Sequence, residues 1–220
     1  MRKIVGIFAV LIIALMVAGF AVAYWTDKLT ITGTVNTGTF GWEWTDVLMC
    51  VSEDTKGIVT LDFDTADTNN DGHDDSISFT ATDVYPCTDI GIWVTLHFWG
   101  NVPGKITAIS VTGTLNDEPL TAVPDWVDIY CEIVDLSCNI ASQTGYSAGD
   151  KPSIDELISK LIGTQWHQSD YITVKIFAHW VEEGMLRYDG STVPDGVEVP
   201  QGATLEFTVT VEGIQYNAIS

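Results

Sequence analysis

Positive charge is scarce in this chain. Lys and Arg together number 9 against 30 Asp and Glu, a formal net charge of −21 over 220 residues. Two of the bases, Arg2 and Lys3, sit at the extreme N-terminus. Such a surface repels phosphate backbones, which excludes nucleic acid as a partner. Cysteine is sparse too: 4 residues with no C-x-x-C pair, and the 4 histidines are scattered, which argues against a zinc cluster. No second long apolar run follows the first 25 residues, so the chain is not a polytopic membrane protein. A P-loop and a dinucleotide fingerprint are missing. His179-Trp180-Val181-Glu182-Glu183 begins like an inverted zinc-protease motif but lacks the second His, and it falls in a strand pattern. The reading is a protein that is not an enzyme. Apolar matter is not lacking: 46% hydrophobic residues suffice for a core and exclude global disorder.

Arg2 and Lys3 precede an apolar run from Ile4 to Trp25, and Ala21-Val22-Ala23 supplies a small-residue cleavage site. These features predict a signal peptide over residues 1–23. The run is also long enough to span a bilayer. Either way the rest of the chain is expected outside the cell, secreted or at the cell surface, with membrane contact only through the leader before cleavage. An even cysteine count in an exported chain predicts two disulfides. Three connectivities exist, and Cys131–Cys138 with Cys50–Cys87 is favoured.

The remainder reads as strands. Leu29, Ile31 and Val35 alternate with Thr30, Thr32 and Thr34, the period of a half-buried strand. Further strands are expected at 38–44, 47–51, 58–63, 77–82, 91–99, 106–115, 127–134, 171–180 and 203–211. The segment 91–99 is apolar on both faces and should be central. One helix stands out at about 153–163. Ser153-x-x-Glu156 is a capping box, Ile154, Leu157, Ile158, Leu161 and Ile162 mark one face, and Gly163 closes it. The fold class is all-β: an antiparallel jelly-roll β-sandwich over 41–220 with one short inserted helix, preceded by an N-terminal strand segment, 24–40.

Asp67-Thr68-Asn69-Asn70-Asp71-Gly72-His73-Asp74-Asp75 places oxygen side chains at alternate positions and then Gly, the way a loop wraps Ca²⁺. Asp67, Asn69, Asp71 and Asp75 would supply side chains and His73 its backbone carbonyl. Position twelve is Ser78 rather than Glu, and a strand follows, so this is a calcium loop on a β scaffold and not an EF-hand. Asp62 and Asp64, just upstream, add negative charge. A strand near a free chain end, such as 28–36, either joins its own sheet or fills a gap in a neighbour's.

The junction Ala21-Val22-Ala23-Tyr24-Trp25-Thr26-Asp27, followed by Gly33 and Asn36-Thr37-Gly38-Thr39, resembles the leader and first strand of TasA and camelysin-like proteins, whose leader is of the SipW type. Tyr85-Pro86, then 91–101, then Pro103-Gly104-Lys105-Ile106, is similar to that family's Tyr-Pro-Gly turn, long strand and Asn-x-x-Pro-x-x-Ile step; Cys87 stands where the family has Gly. The resemblance implies a jelly-roll subunit of an extracellular fibre, akin to archaeal bundling pili and calcium-dependent cannulae. Its N-terminal strand, here Leu29, Ile31 and Val35, would complete the sheet of the next subunit. The partner is then a second copy of the chain, joined head to tail into a homopolymer. A monomeric, calcium-stabilised binding module for a surface ligand such as carbohydrate is the alternative reading.

Overall fold

The computed structural model describes residues 38–51, 57–120, 124–197 and 200–216, all within a unit running from Gly38 to Ser220. The expected signal peptide and the donor residues Leu29, Ile31 and Val35 lie outside the described residues. In chain order the strands are β1 (Trp42–Val51), β2 (Thr60–Ala66), β3 (Ser76–Val84), β4 (Asp89–Phe98), β5 (Gly104–Leu115), β6 (Glu118–Pro119), β7 (Val127–Leu136), β8 (Gln165–Trp166), β9 (Tyr171–Trp180) and β10 (Ala203–Gln215). Between β7 and β8 lie two helices, α1 (Cys138–Thr144) and α2 (Ile154–Leu161). One antiparallel sheet is ordered β1-β4-β9-β7 and the other β2-β3-β10-β5, with the two-residue strands β6 and β8 against β5. The chain passes back and forth between the sheets, and the expected β-sandwich is found. Among the described residues no helix is long and apolar enough to cross a membrane.

Alternation sets the two faces. In β4, the strand expected to be central, Ile90, Val94, Leu96 and Phe98 are buried, while Trp93 and His97 on the opposite face are half-buried. It pairs with β1 on one side and β9 on the other. The separate strands expected at 38–44 and 47–51 are largely one strand. The register slips between Thr45 and Leu48, and Asp46 adopts φ 52°, so a bulge breaks the alternation without ending the pairing.

Helix α2 forms where the capping box places it. Ser153 Oγ accepts the Glu156 N–H at 3.2 Å, Asp155 and Glu156 occupy the first turn, and Lys160 the last. Leu157 and Leu161 are buried. Helix α1 was not expected. Ser137 caps it and Gly145 closes it at φ 78°, but only Ile140 and Thr144 are buried. One buried apolar residue makes no periodic stripe, so only the capping Ser137 and the closing Gly145 mark this helix in the sequence.

The core has two centres. Around one, Trp42 meets the Phe98 ring at 5.2 Å and the Trp166 ring at 6.4 Å. Gly213 makes room for it: a Cβ there would lie 2.1 Å from the Trp42 ring. The other gathers Val84, Ile90, Val127, Trp180 and Leu205.

Neither expected disulfide forms. Cys131 lies mid-strand in β7, and the extended chain from there to Leu136 alone spans about 16 Å. A bridge needs Cα atoms within about 7 Å, so Cys138 is out of reach. Cys50 sits opposite Gly91 of β4, whereas Cys87 belongs to the turn ahead of that strand. Cys87 holds φ 62°, a conformation glycine adopts without strain. Cys131 is 1% exposed and donates to the Pro152 carbonyl at 3.0 Å. Burial, assisted by the Glu156 carboxylate, pushes its thiol up to about 11.

Candidate functional site

Among the described residues the sandwich is open along one side. β5 pairs with β10 from Gly104 to Leu115. Among the described residues its other edge pairs only at its two ends: Gly104 and Lys105 with β8, and Thr114 and Leu115 with β6. Two further bonds cap the gap, Gly163 N–H to the Ile106 carbonyl at 2.9 Å and Leu120 N–H to the Gly113 carbonyl at 2.8 Å. Among the described residues no strand pairs with β5 from Thr107 to Thr112 along that edge. On the facing sheet β7 is also an edge, bonded there through Ile133, which accepts from Gly149 at 2.7 Å and donates to Asp150 at 2.8 Å.

Between the two edges a cleft of about 750 Å³ reaches the interior. Ile109 and Val111 of β5, Ile129 and Cys131 of β7, Phe207 and Val209 of β10, and Ile154 and Ile158 of α2 line it. Val111 is 47% exposed although most of the residues lining the cleft are apolar. A sheet edge with unpaired main-chain groups beside uncovered apolar side chains is the geometry that accepts an added strand. Ile154 and Ile158 are legible in the sequence as a helix face and Cys131 as a cysteine, but the β5 residues are not marked as a cleft, because β5 reads as an ordinary strand whichever neighbours it has.

The acidic loop joins β2 to β3. Asp67 accepts the N–H groups of Asp71 at 3.1 Å and Gly72 at 2.8 Å, Asn69 Oδ1 accepts Asp71 N–H at 3.0 Å, and Asp71 Oδ1 accepts His73 N–H at 3.0 Å. The Gly72 N–H does most to hold the Asp67 carboxyl below its usual range; desolvation opposes it, and the N–H groups of Asp71, Asn70 and Asn69 add to it. Asp75 is turned inward and 4% exposed. It accepts from Thr68 N–H and Oγ1 at 2.8 Å and from Asn69 Nδ2 at 3.0 Å. Residues 67–75 thus form one turn held by their own side chains. Its carboxylates serve the turn's own donors, however, and among the described residues no three His, Cys, Asp or Glu side chains are placed to hold a metal.

His73 ties this loop to the sandwich. Its Nδ1 lies 2.7 Å from Glu43 Oε2, while His97 Nδ1 lies 2.9 Å from Glu43 Oε1. The His73 ring stacks on Trp99 at 3.9 Å. Burial raises the Glu43 pKa, but the hydrogen bonds and charges of His73 and His97 outweigh it, leaving the carboxyl below its ordinary value. Such a group contributes stability above the ordinary glutamate pKa of about 4.3, and loses it as pH falls through the folded-state value. Glu43→Gln is expected to be less stable than the parent near neutrality, with the difference shrinking below about pH 4. Urea denaturation over a pH series checks this, and a difference constant with pH would contradict it.

The outer face of the β1-β4-β9-β7 sheet carries a second cluster. Tyr130 stacks on Phe177 at 4.5 Å and on Tyr188 at 4.0 Å, and Lys175 Nζ sits 3.8 Å from the Phe177 centroid and 4.2 Å from that of Trp93. Gly145-Tyr146-Ser147-Ala148-Gly149 has the G-x-S-x-G spacing of a nucleophile elbow, which needs a strand-to-helix turn. Here the segment links α1 to the loop before α2, and Ser147 is exposed with its N–H on Asp150 Oδ2 at 2.7 Å.

No family model matches the chain, and no curated protein matches it.

Proposed function

We propose that the protein is the structural subunit of an extracellular, cell-surface filament or tube that polymerises by strand donation. Residues 28–36 of one subunit would lie against β5 of the next, in line between β6 and β8, and turn Leu29, Ile31 and Val35 into the cleft. The observation that carries this reading is the unpaired edge Thr107–Thr112 beside an apolar cleft of about 750 Å³. Each donor side chain fully buried there contributes roughly 1.5–3 kcal/mol, besides the main-chain bonds. The contact is heterologous, so it propagates instead of closing.

Deleting residues 24–36 tests the reading against its rival. A filament subunit stays folded and stops polymerising, as circular dichroism and electron microscopy would record. A monomeric module that keeps 28–36 in its own sheet unfolds. The rival draws its support from the Tyr130, Phe177 and Tyr188 stack, with Tyr188 48% exposed on the outer face.

Calcium at Asp67–Asp75 is part of the proposal as an aid to stability and assembly, motivated by the loop pattern and the net charge of −21. Binding through Asp75 requires that carboxylate to leave Thr68 and Asn69. The expected outcome is that millimolar calcium raises the melting temperature by a few degrees over chelator, as for a ligand held well above its Kd. Asp67→Asn with Asp71→Asn should remove the rise. Identical melting with calcium and with chelator would count against calcium at this loop.

A further inference from the structure

The open edge of β5 is shorter than the strand proposed to fill it. The free stretch runs from Thr107 to Thr112, because Gly163 already holds the Ile106 carbonyl and Leu120 the Gly113 carbonyl. The segment from Lys28 to Asn36 extends over about 30 Å at strand rise, against about 20 Å for the free stretch. A fully paired donor strand therefore competes with a group already in place at one end of the gap.

Helix α2 is built as that competitor. The segment that carries it, residues 149–163, is bonded to both open edges. Ahead of it, Gly149 and Asp150 pair with Ile133 of β7, and the Pro152 carbonyl accepts from Cys131 of the same strand. Behind it, Gly163 bonds Ile106 of β5. Its buried Leu157 and Leu161, together with Ile154 and Ile158, line the cleft that a donor would enter. An eight-residue helix has little stability without such contacts. Glycines with positive φ stand at both ends of that segment, Gly149 at 91° and Gly163 at 89°. Exchanging Leu157 and Leu161 for Leu29, Ile31 and Val35 replaces apolar groups by apolar groups, so neither arrangement leaves the core exposed.

We infer that α2 is a strap across one end of the acceptor cleft, holding the Ile106 end of the β5 edge in the unassembled subunit and displaced from it by the incoming strand of a second copy. This rests on the strand-donation reading and adds its regulation: a subunit keeps one end of its acceptor edge occupied until a donor arrives.

Hydrogen exchange resolved along the chain tests the strap separately from strand donation. The protein is the full chain carrying Leu29→Asp, Ile31→Asp and Val35→Asp, which cannot donate but retains its cleft. The probe is a synthetic peptide with the natural sequence of residues 28–36. The expected result is that saturating peptide protects the amides of 107–112 and speeds exchange across 154–162 by about tenfold or more, as local opening of a helix requires. Protection of 107–112 with unchanged or slower exchange in α2 would overturn the strap and leave strand donation standing. Failure of the peptide to protect 107–112 at any concentration would overturn both.

Discussion

Val111→Asp is expected to abolish polymerisation while leaving the subunit folded. Val111 lines the cleft from the open edge of β5 and is already 47% exposed in the subunit. A carboxylate there stays in water before assembly, so the cost to folding should be small, within about 1 kcal/mol. Assembly changes its surroundings. A donor strand laid on β5 would bury the position among Leu, Ile and Val side chains, where an unpaired charge costs several kcal/mol. Each 1.4 kcal/mol is a factor of about ten in association, so polymer formation should weaken by about a hundredfold or more. Ser110→Asp supplies the control. Ser110 is the neighbouring residue on the opposite face of β5, across from Thr210, and exposed. It adds the same charge to the same strand and should change assembly by only a few-fold. Sedimentation of the two variants at equal concentration checks the pair. Equal loss in both would place the effect in net charge and not in the cleft.

Trp166→Ala is expected to cost the fold several kcal/mol. Trp166 is fully buried, packs on Trp42, and belongs to the two-residue strand that closes the lower end of β5 through Gly104 and Lys105. Truncating a buried aromatic costs about 3–5 kcal/mol. Its ring N–H has no hydrogen-bond partner among the described residues, so no bond is lost with it and the lower part of that range applies. For a chain of this size that corresponds to a fall in melting temperature of about 6–12 °C. Differential scanning calorimetry reads it directly, and a fall under about 2 °C would mean that the Trp42, Phe98 and Trp166 cluster is not the anchor of this end of the sandwich.

The parts of the fold legible in the sequence are those governed by local periodicity. Strands such as Tyr171–Trp180 and Ala203–Gln215 announce themselves by alternation, and α2 by its capping box and apolar face. The bulge at Asp46 hides the continuity of β1, because a residue with positive φ shifts every later side chain to the other face. Strands β6 and β8 are too short to carry a period at all. The acidic loop is legible as a turn, since Asp and Asn side chains bond their own backbone a few residues on. Whether its oxygens point at an ion or at the turn's own N–H groups is decided by packing, and Asp75 is drawn inward by Thr68 and Asn69. Cysteine pairing fails for a related reason: seven residues of separation is close in sequence but distant along an extended strand such as β7. The cleft is not legible, because it is defined by which neighbours β5 and β7 have among the described residues, and no residue in either strand encodes that.

Strand donation is tested most directly by electron cryomicroscopy of the full chain incubated in chelator and in millimolar calcium. The account predicts filaments or tubes in which residues 28–36 of one subunit run as a strand along Thr107–Thr112 of the next, with Leu29, Ile31 and Val35 inside the cleft. Filaments whose clefts hold no strand, or folded monomers under both conditions, would contradict it.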